Sequence, residues 1–261
     1  MSKRKIAILI TAVCAILLVC YEFFLGDLVF SALEENIRLL VDMTVTRVLG
    51  ASVFTVILVY LGYKVLNPIK KPFFKAFAFC LPAYVVAINN FPFSSVIKGN
   101  ATVDATVGRI ILLAAECLAV ALFEEMAFRG VIFLGFAEKR RKSRWGLFIS
   151  IILSSAVFGA VHLLNIFTSS PIAVIMQIGY SFLIGGMCSV VLLQTANIWH
   201  CVAIHAIFNF SGAIVTTFGH GEIWDTFTII ITAIIAVLTF AYMLIFFLRF
   251  DVRKTEKIYK K

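Results

Sequence analysis

Charged residues are scarce in this chain. Only 14% of its 261 residues are Asp, Glu, Lys or Arg, whereas an ordinary soluble domain carries about 25%. Hydrophobic residues make up 62% of the chain, and they occur in runs of about 20 residues, long enough to cross a bilayer as helices. These features exclude a soluble globular enzyme. We therefore predict an all-α fold, a polytopic membrane helical bundle of about eight transmembrane helices.

The chain also has few prolines, no low-complexity run and no paired cysteine spacing. Five prolines and an unbiased sequence exclude a disordered or fibrous protein. The six cysteines lie in or beside apolar runs, so we interpret them as small packing residues rather than disulfide partners. The first apolar run lacks a cleavage site, which predicts an uncleaved first helix.

Hydropathy predicts eight spans of near-membrane length. They cover residues 6–25, 48–66, 73–90, 108–137, 146–165, 171–193, 197–217 and 227–249. Between the first two, residues 27–47 mix charged and apolar side chains, which predicts an amphipathic helix at the membrane surface. We divide the chain into N-terminal transmembrane helices over 1–107, a core over 108–217, and a last helix with a basic tail over 218–261.

The distribution of basic residues predicts the orientation. If the N-terminus lies inside, the inside segments carry 18 of the 23 Lys and Arg, and the outside segments carry four. Short cytoplasmic loops carry the excess of basic residues, so we predict that both termini are cytoplasmic and that the protein lies in the cell membrane. An anionic membrane surface accounts for the net charge of +9 without a nucleic-acid partner.

Polar side chains inside the predicted spans are candidates for function, because their burial costs several kcal/mol unless they are paired or hydrated. Three clusters stand out: Glu124, Glu125 and Arg129 in the fourth span, Phe158 and His162 in the fifth, and His205 and Asn209 in the seventh. Counted along their helices, the clusters fall near a common depth. This coincidence favours one site over three unrelated polar defects.

The first cluster contains two neighbouring acids with different expected surroundings. Glu125 precedes Arg129 by four residues, the favoured order for an ion pair on one helix face. Glu124 is rotated by about 100° from Glu125 on an α-helix, so we expect it to point away from Arg129. An acid without that partner suits a general base or acid. A purely structural polar cluster is the competing interpretation.

The sequence lacks a Ser or Cys nucleophile in a comparable position, and it lacks an H-E-x-x-H zinc motif. Water activated by Glu124 with help from His162 would fit amide hydrolysis. His205 and Asn209 would then hold the oxyanion. A catalytic zinc ion with ligands from separate helices is the alternative use of these Glu and His residues. We favour a reaction that uses no cofactor and no metal.

The three clusters resemble the motifs of the CPBP family, the CAAX-protease and bacteriocin-processing group of intramembrane glutamic-type endopeptidases. The family motifs E-E-x-x-x-R, F-x-x-x-H and H-x-x-x-N/D stand in this order at residues 124–129, 158–162 and 205–209. The resemblance covers residues from about 110 to 215. Each motif is weak alone, but all three in order, each within a span, make a specific signal.

The resemblance also implies a role for each motif residue. It implies that Glu124 and His162 activate the water and that His205 and Asn209 form the oxyanion hole. It implies supporting roles for the remaining motif residues, Glu125, Arg129 and Phe158.

We therefore expect an intramembrane endopeptidase that cleaves a membrane-associated or lipidated peptide or protein. A non-catalytic scaffold or bacteriocin-immunity protein and a small-solute transporter are the alternatives. The complete set of motif residues argues against the scaffold, and the absence of an internal repeat argues against the transporter. Prenylated CAAX proteins, peptide pheromones and bacteriocin leaders all remain open as substrates.

Overall fold

The computed structural model describes residues 3–25, 29–67, 73–221 and 223–259. Its elements are α1 (Lys3–Phe24), α2 (Glu35–Leu61), α3 (Phe73–Asn89), α4 (Phe93–Ile97), β1 (Ala101–Val103), α5 (Val107–Glu124), a π-helical segment (Glu125–Phe133), α6 (Leu134–Arg140), α7 (Arg144–Val161), a 3₁₀ segment (His162–Phe167), α8 (Pro171–Thr195), α9 (Ile198–Phe218), β2 (Gly219–Gly221), α10 (Thr226–Leu248), a second 3₁₀ segment (Val252–Thr255) and α11 (Glu256–Tyr259).

Six of the described helices are long and apolar enough to cross a membrane: α1, α2, α7 with its 3₁₀ extension, α8, α9 and α10. The predicted all-α membrane bundle is confirmed, whereas the number of eight spans is not. The third predicted span is the shorter helix α3, of 17 residues.

Helix α2 is longer than the span that hydropathy predicts in this region. Residues 35–47 form its first half, and most of the helix belongs to one apolar span. Two of its charged side chains find partners on neighbouring helices. Tyr21 of α1 donates a hydrogen bond to Asp42, and the guanidinium carbon of Arg47 lies 5.3 Å from the ring centre of Phe123. Residues 35–47 are therefore not a separate helix but continue into the span, while the start of the predicted segment, at 27 and 28, lies outside the described residues. The position of this segment at the membrane surface stays a prediction.

The fourth predicted span is part of a longer helical run, from Val107 to Arg140. The run changes from α to π geometry after Glu124 and returns to α geometry at Leu134. Helices α2 and α9 both pack against α5 and the π-helical segment. The π-helical segment is almost entirely buried, and π turns within helices occur frequently at functional sites.

Several basic segments meet at the end of this run. Arg4 of α1 donates a hydrogen bond of 2.6 Å to the carbonyl oxygen of Gly135. At the other terminus, the hydroxyl of Tyr259 donates one of 2.9 Å to the carbonyl oxygen of Leu134. The N- and C-terminal segments therefore lie at the same end of the bundle, as the basic residues predict.

The opposite end holds the less basic connections. There β1 pairs antiparallel with β2, Lys98 lies 2.7 Å from Asp225, and Arg109 lies 2.9 Å from Glu34. The segments are thus grouped as predicted, and the side of the membrane that each group faces stays a prediction.

Candidate active site

A buried ion pair lies in the π-helical segment. Oε1 of Glu125 is 3.1 Å from Nη1 of Arg129, and the two side chains are 0% and 1% exposed. The guanidinium carbon also lies 4.2 Å from the ring centre of Phe158, a cation–π contact that stabilises a desolvated cation. The ion pair predicted from the four-residue spacing is confirmed.

His205 on α9 joins the two neighbouring glutamates. Its Nδ1 lies 2.8 Å from Oε1 of Glu125, and its Nε2 lies 3.5 Å from Oε2 of Glu124. We assign a proton to Nδ1, because a carboxylate oxygen can only accept the hydrogen bond at this distance. The ring therefore directs Nε2 toward Glu124.

Glu124 makes no ion pair with Arg129 among the described residues, as the sequence predicts. The contact with His205 is the feature that the sequence does not predict. Both carboxylates reach the same imidazole, one at each ring nitrogen. The side chain of Glu124 is 18% exposed and that of Glu125 is 0% exposed. Glu124 is therefore the carboxylate that a water molecule or a substrate can reach.

His162 lies where α7 passes into the 3₁₀ segment. Its Nδ1 is 2.8 Å from the carbonyl oxygen of Phe158, so the ring donates there, and Nε2 lies 3.5 Å from the hydroxyl oxygen of Ser181. Among the described residues, no hydrogen bond or ion pair joins His162 to Glu124. Phe158 contacts both histidines. Its ring centre lies 5.1 Å from that of His162 and 5.8 Å from that of His205.

Asn209 follows His205 by about one turn of α9 and is half-buried. Its side-chain amide has no hydrogen-bond partner within the part of the chain that the structure describes, so its N–H groups remain available as donors. Helix α8 packs against α9 beside this residue, where the ring centre of Tyr180 is 5.7 Å from that of Phe208.

Sequence reasoning missed the contribution of α8. Besides Tyr180 and Ser181, this helix supplies Gly185, whose Cα faces the buried ion pair. A Cβ atom at Gly185 would lie 3.3 Å from Nη2 of Arg129 and 3.2 Å from the hydroxyl oxygen of Ser155. Ser181 and Gly185 share a face because they are four residues apart, but in a uniformly apolar helix this spacing alone does not indicate a site.

The structure also identifies which residues could hold a metal ion. Among the described residues, one group of at least three His, Cys, Asp or Glu side chains has ligand atoms within 4.8 Å of one another, and it consists of Glu125, Cys188 and Cys201. Among the described residues, the histidines and Glu124, which the zinc alternative requires, do not form such a group.

The motif residues lie within a segment that matches a known family. Residues 106–211 match the family described as Rce1-like, type II CAAX prenyl endopeptidase Rce1-like. No curated protein and no solved structure matches the chain. The predicted resemblance to the CAAX-protease family is confirmed over this segment. Together with the apolar helices, the match supports an integral membrane protein with endopeptidase activity and a membrane-associated substrate.

Proposed function

We propose that this chain, whose core matches the Rce1-like CAAX prenyl endopeptidases, hydrolyses a peptide bond within the membrane by means of water that Glu124 activates. The observation that carries the proposal is the position of Glu124, the accessible member of a carboxylate pair that shares one imidazole. The proposed substrate is a membrane-associated or lipidated peptide or protein, and a prenylated protein tail is the form that the family description favours. We further propose that the reaction uses no cofactor.

Glu124 acts as the general base in this mechanism. It takes a proton from water as the oxygen attacks the scissile carbonyl carbon, and it returns the proton to the leaving amine. Glu125 is unsuited to this task, because Arg129 and His205 already contact its carboxylate in a site without solvent. The ion pair instead holds the helical run in the geometry that presents Glu124.

His205 and Asn209 are the proposed donors to the oxyanion. They lie one turn apart on α9, so their donor groups face the same side of the helix. His205 donates from Nδ1 to Glu125, and its Nε2, which is directed toward Glu124, is the nitrogen that we assign to the oxyanion. Preorganised donors of this kind stabilise charge that develops in the transition state.

His162 is proposed to orient the attacking water. Since its Nδ1 donates to the carbonyl oxygen of Phe158, the neutral ring has an acceptor lone pair on Nε2. The attacking water would donate to this nitrogen in place of the hydroxyl of Ser181, which lies 3.5 Å away. A water molecule between His162 and Glu124 would replace the direct contact that the two side chains lack. Phe158 positions both histidines through its ring and His162 through its backbone carbonyl.

Glu124→Gln tests the mechanism with little change in side-chain shape. The amide cannot accept the proton from water, so processing of membrane peptides should fall to background while the protein still accumulates in the membrane. Glu116→Gln is the matched control, because it removes a carboxylate two turns earlier on α5, and it should retain most of the activity. The membrane peptidomes of cells that express each variant at equal level give the comparison. Near wild-type processing by Glu124→Gln would contradict the mechanism and favour the non-catalytic scaffold.

Asn209→Ala tests the oxyanion assignment. Loss of one such donor typically lowers the rate by about a hundred- to a thousandfold, so this variant should retain measurable cleavage, unlike Glu124→Gln. The measurement is the initial rate of product formation with purified protein in detergent. An unchanged rate would remove Asn209 from the oxyanion hole.

We also propose that both termini face the cytoplasm and that the protein resides in the cell membrane. The contacts of Arg4 and Tyr259 with the end of the helical run support this proposal, because they bring the basic segments to one side of the bundle. The basic end would then face the anionic leaflet.

A further inference from the structure

The side chains of two cysteines lie close to the carboxylate of Glu125, which also contacts His205. A carboxylate oxygen of Glu125 and the sulfur atoms of Cys188 and Cys201 lie within 4.8 Å of one another. The residues come from the π-helical segment, α8 and α9, and each is 0% exposed. The thiol of Cys201 donates a hydrogen bond of 3.2 Å to the backbone carbonyl oxygen of Cys188.

Glu125 has one oxygen that the protein leaves without a partner. Oε1 contacts His205 and Arg129, whereas Oε2 is buried and accepts no hydrogen bond within the described structure. A buried polar atom in this state costs free energy and calls for an explanation such as a bound ion or an ordered water. Because two sulfur ligands lie beside the same carboxylate, an ion explains this atom and the cysteine arrangement together.

We propose that Glu125, Cys188 and Cys201 bind a divalent transition-metal ion, with Zn²⁺ preferred. Thiolates and carboxylates are ordinary ligands of zinc, whereas calcium and magnesium prefer sites built from oxygen atoms. On binding, two S–H bonds break, two sulfur–metal bonds form, and two protons leave to water. The two thiolate charges offset the charge of the ion, so the ion pair between Glu125 and Arg129 keeps its own balance.

This ion would have a structural role. It joins three helical segments that carry or adjoin the proposed catalytic residues, and Glu124 and His162 are not among its ligands. Metal content should therefore follow the cysteines and not the accessible glutamate. A catalytic zinc ion would give the opposite result.

Metal analysis of the full-length protein, purified in detergent from cells grown with zinc, tests the proposal. The wild type should contain roughly one zinc ion per chain. Cys188→Ala and Cys201→Ala should lose it, whereas Cys117→Ala, a change at a buried cysteine of α5 outside the cluster, should retain it. Glu124→Gln should also retain zinc, so failure of the metal site and failure of the glutamate mechanism are distinguishable. Wild-type protein without stoichiometric metal, or zinc retained in both cysteine variants, would overturn the proposal.

Cobalt substitution tests the same ligands without any variant that could misfold. Wild-type protein loaded with Co²⁺ should develop thiolate-to-cobalt charge-transfer absorption in the near ultraviolet. Stoichiometric cobalt uptake without the thiolate band would place the ion on other ligands and contradict the assignment.

Discussion

The ion pair at the centre of the bundle is buried, whereas the ion pairs at its less basic end are partly exposed to solvent. Glu125 and Arg129 are 0% and 1% exposed, and side chains from other helices surround them. At the end, Lys98 and Arg109 reach their acidic partners with side chains that are 54% and 37% exposed. Removing one partner of a buried pair strands a charge without water, whereas an exposed pair contributes only about 0–1 kcal/mol. Burial, more than the pairing itself, therefore determines how strongly the stability of the fold depends on an ion pair.

Among the variants that test this comparison, Arg129→Ala is expected to have the largest effect on stability. It leaves the carboxylate of Glu125 buried without its cation and should lower the free energy of unfolding by about 3–5 kcal/mol. The folded yield should fall together with the activity. Arg109→Ala is the matched control, and it should change stability by no more than about 1 kcal/mol. Thermal unfolding in detergent compares the two. Equal stability of the two variants would refute the ion-pair assignment.

The sequence predicts contacts that depend on local spacing. Glu125 and Arg129 are four residues apart on one helical run, and the structure joins them as the spacing indicates. Glu124 makes no ion pair with Arg129 among the described residues, which the spacing also indicates. Its contact with His205 depends instead on the packing of α9 against the helical run, and no local pattern predicts that packing. The assignment of Glu124 as the reactive acid stays a prediction.

Helices α2 and α8 also contain features that the local sequence does not predict. Charges in the first half of α2 suggested a separate helix, because the sequence does not reveal that Asp42 and Arg47 find partners on α1 and α5. In α8, the residues that approach the site are Tyr180, Ser181 and Gly185, which carry no charge and form no motif. Long-range packing determines both outcomes, so hydropathy predicts that these helices exist and not which side chains they supply.

Two adjacent glycines of α8 provide a second test of the buried ion pair, and here we expect an effect of intermediate size on stability. A Cβ atom at Gly185 would approach the hydroxyl oxygen of Ser155 at 3.2 Å and both Nη2 of Arg129 and Cα of Ser155 at 3.3 Å, whereas one at Gly186 would have its nearest contacts at 3.8–3.9 Å. Gly185→Ala should therefore overpack the buried cluster and cost about 1–3 kcal/mol. Gly186→Ala should be neutral or slightly stabilising, because alanine favours the helix. The melting temperatures of both variants in detergent test this, and equal values would mean that the ion pair does not require the close approach of α8.

The smallest effect, and the one that depends on pH, is expected at the less basic end. Asp225 accepts hydrogen bonds from Lys98, Ser94 and the backbone N–H of Thr228, and these contacts, that of Lys98 foremost, hold the pKa of Asp225 well below its usual range. A lowered folded-state pKa contributes stability above the unfolded value of about 3.9, and this contribution is lost as the pH falls toward the folded value.

Asp225→Asn keeps a side chain that can cap α10 but loses the charge, so its melting temperature should lie slightly below that of the wild type at neutral pH. The gap should narrow on acidification below about pH 4. Asp251→Asn, which removes an exposed carboxylate at the basic end, should produce a smaller gap throughout. A gap for Asp225→Asn that is constant or widens with acidification would show that the charge of Asp225 does not stabilise the fold.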